Sequence, residues 1–420
     1  MTKARRIVLM LWDGGGVVPP EMELAGELIK AGHDVCVLGD PTIEAEARAA
    51  GCSFRPWTSA PHRTTRDRSA DILTDYAAKS RRTYLKETLG GYLYQPGLEW
   101  TADALAAIDA HRADLVLSDC MIPWGVLAAE VRALPSAALF TMPYMVPTPG
   151  MRPSGAAMLR VPGPLEGARD AMLRWLFEKV FDGFVPHVNR VRTHHGLTPV
   201  AHTFDQLRKA KAKIVFTSRV FDHGGQGAPN DVHWIGPRLG DPTWCAPWAS
   251  PWPADDKRPL VLVGMSSTFQ NHVELLRRLV EVLASLPVRG LVTLGPTVRV
   301  DEVPARGDVA VVPSVPHAQV LPSTSVLVTH AGHGTTIKGL AAGVPMLCLP
   351  LGRDQNDNAA RVAALGAGLS LSPKSSTDEL RMALRRLLEQ PAFRDAARRA
   401  AAAIGRREGE RNATEIVASL

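Results

Sequence analysis

The chain reads as an α/β protein of two Rossmann-like domains with mainly parallel sheets. Three observations point there. Short apolar, β-prone runs recur in both halves, each followed by a glycine-bearing turn and a helical stretch, the alternation that parallel sheets require. The runs fall into two series, separated by a stretch dense in glycine and proline. The 420 residues are enough for two or three domains at about 150 residues each.

In the first series, residues 6–12 are a buried strand and Asp13-Gly14-Gly15-Gly16-Val17 is the turn after it. Pro19-Pro20 opens a helix that stops at Gly32, since proline suits a first helical turn and glycine a stop. Residues 34–39 and 52–57 are the next strands. Residues 58–100 turn polar, basic and aromatic without clean periodicity and read as loops and short helices at the mouth of a pocket. Residues 114–119, 137–143 and 213–218 return to buried-strand composition, with a Pro-, Gly- and Met-rich stretch at 146–164 and a helical one at 165–196.

Residues 259–264 (PLVLVG) start the second series, followed by Met265, Ser266, Ser267 and Thr268. Residues 291–295 and 309–312 are further strands. The densest pattern lies at 326–371. There a strand leads into His330-Ala331-Gly332-His333-Gly334-Thr335, then an Ala/Leu-rich helix that stops at Gly343. A second apolar run at 346–350 follows, with Asp354, Gln355 and Asn358 where the next helix begins. Glycines in such a turn let backbone approach a ligand, and a helix start favours an anion, so a phosphate or diphosphate is the expected guest. His330 and Thr335 can bond phosphate oxygens, and Asp354 with Gln355 offers acceptor and donor groups for sugar hydroxyls. Residues 375–407 are helical, broken at Pro391. The expected division is 1–228, a linker at 229–258, 259–400, and a last helix in 401–420.

Composition narrows the classes. Apolar residues make up 45% and charged residues 21%, as in ordinary globular chains. The net charge of +6 comes without a dense Lys/Arg stripe, so nucleic acid is not an expected partner. Cys36, Cys52, Cys120, Cys245 and Cys348 are scattered without a CxxC pair, which argues for reduced thiols in a cytoplasm and against a zinc site. Lys3, Arg5 and Arg6 imitate a signal peptide's start, but the apolar run after them is too short, and no run approaches the ~20 apolar residues of a membrane span. No carboxylate cluster suits Mg²⁺, so no metal is expected.

Residues 326–371 closely resemble the nucleotide-sugar signature of bacterial family 1 glycosyltransferases of the macrolide and natural-product type, which have the GT-B fold. The resemblance implies inverting, metal-independent transfer of a sugar from a nucleoside diphosphate, with no further cofactor, to a hydrophobic natural-product acceptor. His330, Gly332, Gly334 and Thr335 would hold the diphosphate, His333 would face it or fill the turn, and Asp354 and Gln355 would hold the sugar. Ser267 resembles the family's phosphate-touching serine. Val315 would offer backbone groups to the base, in a segment where Ser314 and His317 stand in place of the family's common Trp and Gln. Many UDP-sugar users carry a Glu at the position of Lys338, which tilts the expected donor toward dTDP over UDP. The last helix would cross back onto the first domain. A homodimer is left open.

The family's usual catalytic histidine, in a turn like HGHVNP, falls on Gly15, and no histidine occurs in residues 1–30. Three substitutes stand in view. Asp13 is the first choice, with capping of the glycine turn as its alternative role. Asp119 matches the family's aspartate that orients the histidine. His62 has a suitable ordinary pKa. Gly15, Trp124, Phe140, Met142 and Tyr144 are read as an acceptor pocket for a flat, greasy aglycone, or as core. Two rivals remain: a non-catalytic relic that binds a nucleotide sugar or aglycone, and a dinucleotide-dependent oxidoreductase. Against the second, Gly14-Gly15-Gly16 lacks full GxGxxG spacing, because Pro19 stands at its last glycine.

Overall fold

A computed structural model describes residues 4–78, 80, 83–159, 163–222, 227–245 and 247–420. The chain divides into two units, 1–65 with 77–238 and 409–420, and 66–76 with 239–408.

In the first unit, strands β1 (Arg6–Met10), β2 (Asp34–Gly39), β3 (Ser53–Pro56), β4 (Leu115–Asp119), β5 (Ser136–Phe140), β6 (Ala212–Val215) and β7 (Val232–Trp234) form one sheet. Its order is β3-β2-β1-β4-β5-β6-β7, parallel throughout. The near-continuous apolar runs RIVLM and LVLSD are buried, because helices cover both faces of a parallel sheet. Helix α1 (Val18–Lys30) has proline in its first turn and buries Val18, Met22, Leu24, Ala25 and Leu28 against β1 and β2. Ala413, Ile416 and Val417 of the last helix, Ala413–Ser419, pack into the same core.

The second unit holds β8 (Leu260–Gly264), β9 (Arg289–Thr293), β10 (Val309–Val312), β11 (Thr324–Thr329), β12 (Met346–Cys348) and β13 (Gly368–Ser370), ordered β10-β9-β8-β11-β12-β13 and all parallel. Helix α2 (Val273–Ala284) buries Leu276, Leu279 and Leu283, a three- and four-residue spacing that sets one stripe against the sheet. The helical stretch ahead of residue 409 breaks at Pro391, where a helix Thr377–Glu389 gives way to Pro391–Gly405.

The units divide the chain differently from the expected ranges. The stretch taken as a linker from residue 229 contains β7, an edge strand of the first sheet, so the first unit runs to Arg238. The segment Arg66–Tyr76, expected to belong with the first domain, folds with the second unit. Among the described residues, no helix is long and apolar enough to cross a membrane.

Candidate active site

In an open parallel sheet, ligands bind beyond the carboxyl ends of strands where the strand order reverses. In the second unit that point lies between β8 and β11, which places the turn holding Ser267 beside the turn opened by His330. Ala331 adopts φ 65°, a left-handed value costly for alanine, and its N–H is held by Thr329 Oγ1 at 3.2 Å. Helix α3 (His333–Ala341) starts immediately afterwards, with Gly332 before it and no side-chain cap among the described residues. A Cβ on Gly332 would collide with the His330 ring, so only glycine lets that imidazole lie flat on the turn.

His330 is buried, and its Nδ1 meets no hydrogen-bond partner among the described residues. Burial first, then the charges of His272 and Arg353, push its pKa down to about 3, against a raising bond to the Gly264 backbone. His272, just ahead of α2, is likewise pushed down to about 4 by burial and by Arg68, and its Nε2 has no partner among the described residues. Two neutral imidazoles and an uncapped helix start therefore converge at one place. An incoming anion relieves all three: it accepts the N–H bonds and restores charge to the imidazoles. Gly334 and Thr335 lie in the first turn of α3, half-buried, and His333 is buried beside them.

Asp354 and Gln355 open helix α4 (Gln355–Ala364). Asn358 Nδ2 bonds Asp354 Oδ2 at 2.7 Å and the Ala331 carbonyl at 3.0 Å, which ties this end to the turn opened by His330. Burial raises the Asp354 pKa, opposed by the Asn358 bond. Gln355 is 2% exposed and already engaged: Oε1 accepts from the Leu351 and Gly352 N–H groups at 2.7 and 3.0 Å, and Nε2 donates to Gln270 at 2.9 Å. One amide hydrogen is left for a ligand.

Val315 is buried, so its backbone rather than its side chain is what it can offer. The His317 ring sits against Gly264, where a Cβ would come within 2.8 Å of Cε1. Its pKa falls to about 4 through burial and the neighbouring Lys338. Lys338 Nζ pairs with Asp241 at 2.7 Å, and Asp241 also accepts the Ala318 N–H at 2.9 Å. The ammonium is thus matched by a carboxylate from the stretch after β7.

The first unit's reversal lies between β1 and β4. Asp13 follows β1, is 3% exposed, and accepts from the Gly15 N–H at 3.2 Å and the Thr42 hydroxyl at 2.7 Å. Its own N–H donates to Asp40, whose other oxygen accepts the Arg63 N–H at 2.7 Å. Asp40 is pushed up to about 6, chiefly by burial and also by the Asp13 charge, against those two N–H bonds and the pull of His62. His62 Nδ1 donates to the Ala60 carbonyl at 2.8 Å, which leaves Nε2 as the acceptor nitrogen. The structure thus gathers Asp13 and His62 around Asp40.

Asp119 stands apart from that group. It is fully buried, accepts the Met121 N–H at 2.7 Å, and is pushed up to about 6 by burial. Glu21 on α1 and the Trp12 indole lie against it, yet Trp12 Nε1, both Glu21 oxygens and Asp119 Oδ2 reach no partner in good hydrogen-bond geometry among the described residues. Burial and Asp119 hold Glu21 protonated well above the usual carboxyl range. Asp119 therefore presents no side-chain surface to solvent.

The residues read as an acceptor pocket or as core differ in burial. Trp124 is 0% exposed and donates to the Leu93 carbonyl at 2.6 Å, while Phe140 is 0% exposed and packs on Tyr144. Both are core: Trp124 lies on the helix Pro123–Val131, and Phe140 ends β5, an interior strand of the sheet. Tyr144 is 6% exposed, and Met142 and Gly15 are half-buried. Sequence reasoning missed Asp40, Asp75, Gln270 and His272. Asp40 alone carried a signal, as an aspartate directly after a strand and before proline.

A family profile described as Erythromycin biosynthesis protein CIII-like, C-terminal domain, matches residues 278–420. The 4'-demethylrebeccamycin synthase of Lentzea aerocolonigenes is 24% identical over 99% of this chain and 99% of its own. The oleandomycin glycosyltransferase of Streptomyces antibioticus is 27% identical over 96% of this chain and 87% of its own. Among solved structures, the kitacinnamycin glycotransferase superposes with a TM-score of 0.71 at 23% identity, covering 100% of this chain and 98% of that one. The calicheamicin glycosyltransferase CalG4 does so with a TM-score of 0.73 at 21% identity, covering 99% and 97%. These two superpositions speak for the fold.

Proposed function

The chain belongs to the bacterial family 1 glycosyltransferases of the macrolide and natural-product type, with the GT-B fold, and we propose that it moves a sugar from a nucleoside diphosphate to a hydrophobic small-molecule acceptor. The observation that carries this reading is the turn from His330 to Thr335, where a helix start without a side-chain cap and a buried imidazole nitrogen without a partner among the described residues meet. Such a site stabilises the negative charge that builds on a departing diphosphate. The reaction is a single displacement with inversion at the anomeric carbon, without metal. Asp354 and Gln355 hold the sugar, and Ser267 and Thr335 add hydroxyls to the phosphates.

The donor is a dTDP-sugar in preference to a UDP-sugar. Lys338 cannot accept bonds from ribose hydroxyls, and both oxygens of its partner Asp241 are already engaged. Asp13, at the end of β1, takes the acceptor's proton as its oxygen attacks. A second proton acceptor is His62, favoured because the Nδ1 bond to the Ala60 carbonyl leaves Nε2 as the accepting nitrogen. A non-catalytic relic is the competing reading, favoured by Gly15 and by the bonds that already occupy both Asp13 oxygens.

The test is thermal unfolding with dTDP, UDP, GDP and NAD. Ligand at about 100 times its Kd stabilises by ~2.7 kcal/mol, several degrees for a domain. Selective stabilisation by dTDP or UDP is expected, followed by turnover of the matching sugar nucleotide. Stabilisation by NAD alone would end the glycosyltransferase reading, and binding without turnover would select the relic.

A further inference from the structure

The segment Arg66–Tyr76 lies inside the first unit's sequence but folds with the second, and each of its contacts there is specific. Asp71 Oδ2 accepts the Phe269 N–H at 2.9 Å. The Arg68 guanidinium lies 3.6 Å from the Phe269 ring centroid, and Tyr76 meets the same ring edge-on at 4.9 Å. Asp75 then grips Arg353 with both oxygens, at 2.8 and 2.9 Å, with only 6% of its side chain exposed.

From Asp75 two chains of bonds run into the loops that end β8 and β12. One goes through Arg353, whose Nη1 donates to Thr268 Oγ1 at 2.9 Å, and Thr268 Oγ1 lies 3.1 Å from Ser266 Oγ. The other goes through Gln270, whose Nε2 reaches Asp75 at 3.4 Å while its Oε1 accepts from Gln355 at 2.9 Å. Gln270 can present its oxygen to Gln355 only while its amide nitrogen faces Asp75. That orientation in turn decides which hydrogen Gln355 has left. Arg353 itself sits at φ 54°, a left-handed value for a side chain that the ion pair helps to hold. A paired, nearly buried carboxylate is a costly device for anchoring a surface loop, since both ions lose water. It does fix the geometry of two loops at once.

We propose that Asp75 is a positioning residue for the sugar end of the donor site, acting through Gln270 and Arg353 on Gln355 and its neighbour Asp354. The inference rests on the donor reading above. It assigns Asp75 to the recognition of the sugar rather than of the nucleotide, because among the described residues no hydrogen bond of Asp75 reaches the His330–Thr335 turn.

The test uses the full chain, titrated calorimetrically with dTDP and dTDP-glucose, and with UDP and UDP-glucose as a second pair. Asp75→Asn keeps the shape and removes the charge. It is expected to weaken the sugar nucleotide by about tenfold or more, since small misplacements of a positioning group are costly, while the bare diphosphate changes by less than about threefold. Asp75→Glu should recover part of the loss. With Gln355→Ala already present, Asp75→Asn should add little, because the two act through one path. Equal weakening of both ligands, or none, overturns the proposal. A wild-type chain that binds neither nucleotide overturns the donor reading and this inference with it, whereas nucleotide binding with an indifferent Asp75→Asn overturns this inference alone.

Discussion

After β1, β2 and β4 the first unit gathers carboxyl groups, Asp13, Asp40 and Asp119 with Glu21 behind, whereas after β8 and β11 the second gathers imidazoles, His272, His330 and His333, with His317 close by. Burial acts on both sets and in opposite directions. It pushes Asp40 and Asp119 up to about 6, and His272 and His330 down to about 4 and 3. In each set burial disfavours the charged form, and each is suited to a different guest. Neutral imidazoles at a helix start gain from an anion that restores their protons. Carboxyls close to their titration point are suited to taking a proton from a neutral hydroxyl. On the proposed reading, one doubly wound sheet, used twice, supports a leaving diphosphate in one unit and a nucleophile in the other.

The sharpest way to break this comparison is Asp13→Asn. The amide keeps an oxygen for the Gly15 N–H or the Thr42 hydroxyl but cannot take a proton. General-base assistance is worth about 10²–10⁴-fold, so kcat should fall by at least about 10²-fold with stabilisation by dTDP unchanged. Full turnover in that variant removes Asp13 from the chemistry. His62→Ala would then carry the loss.

A somewhat smaller effect is expected from His330→Ala on the other side. Removal of one group that stabilises a developing anion costs about 10²–10³-fold in kcat. Here the dTDP-induced shift in melting should shrink as well, since the same imidazole meets the bound diphosphate. An undiminished shift would show that the second unit's imidazoles do not face the nucleotide.

Much of this was open to the sequence because buried parallel strands are near-continuous apolar runs. Residues 34–39 and 309–312 coincide with β2 and β10 to the residue. The strand, glycine turn and helix around His330 were legible for the same reason, as glycine and histidine stand directly after such a run. What failed were features set by tertiary contact. β7 has only three residues in a Gly- and Pro-rich context, so no periodicity marks it as a sheet edge. Trp124 looks alike in a pocket or a core until the Leu93 carbonyl claims its indole N–H. The docking of residues 66–76 depends on Asp71 and Asp75 finding partners nearly two hundred positions or more away, and no local pattern encodes that.

The smallest effect is on stability, and its sign differs between the units. A carboxyl whose pKa rises on folding binds its proton more tightly in the native state. The stability contributed by Asp40 and Asp119 is therefore full below about pH 4 and lost as pH rises through about 6. For imidazoles lowered by folding, stability is full above about 6.5 and lost as pH falls toward about 4 for His272 and about 3 for His330. Asp119→Asn isolates the first half of that contrast. Its retained oxygen can still accept the Met121 N–H, while the buried charge is gone. A shift of about two units corresponds to roughly 3 kcal/mol at most, so at pH 8 the variant should melt several degrees above wild type, and at pH 4 the two should coincide. A variant that melts no higher than wild type at pH 8 would mean that Glu21 and Asp119 already settle on a shared proton there. The first unit would then carry no net charge penalty at its strand ends, and its readiness to take a proton would have to be sought in Asp13, Asp40 and His62 alone.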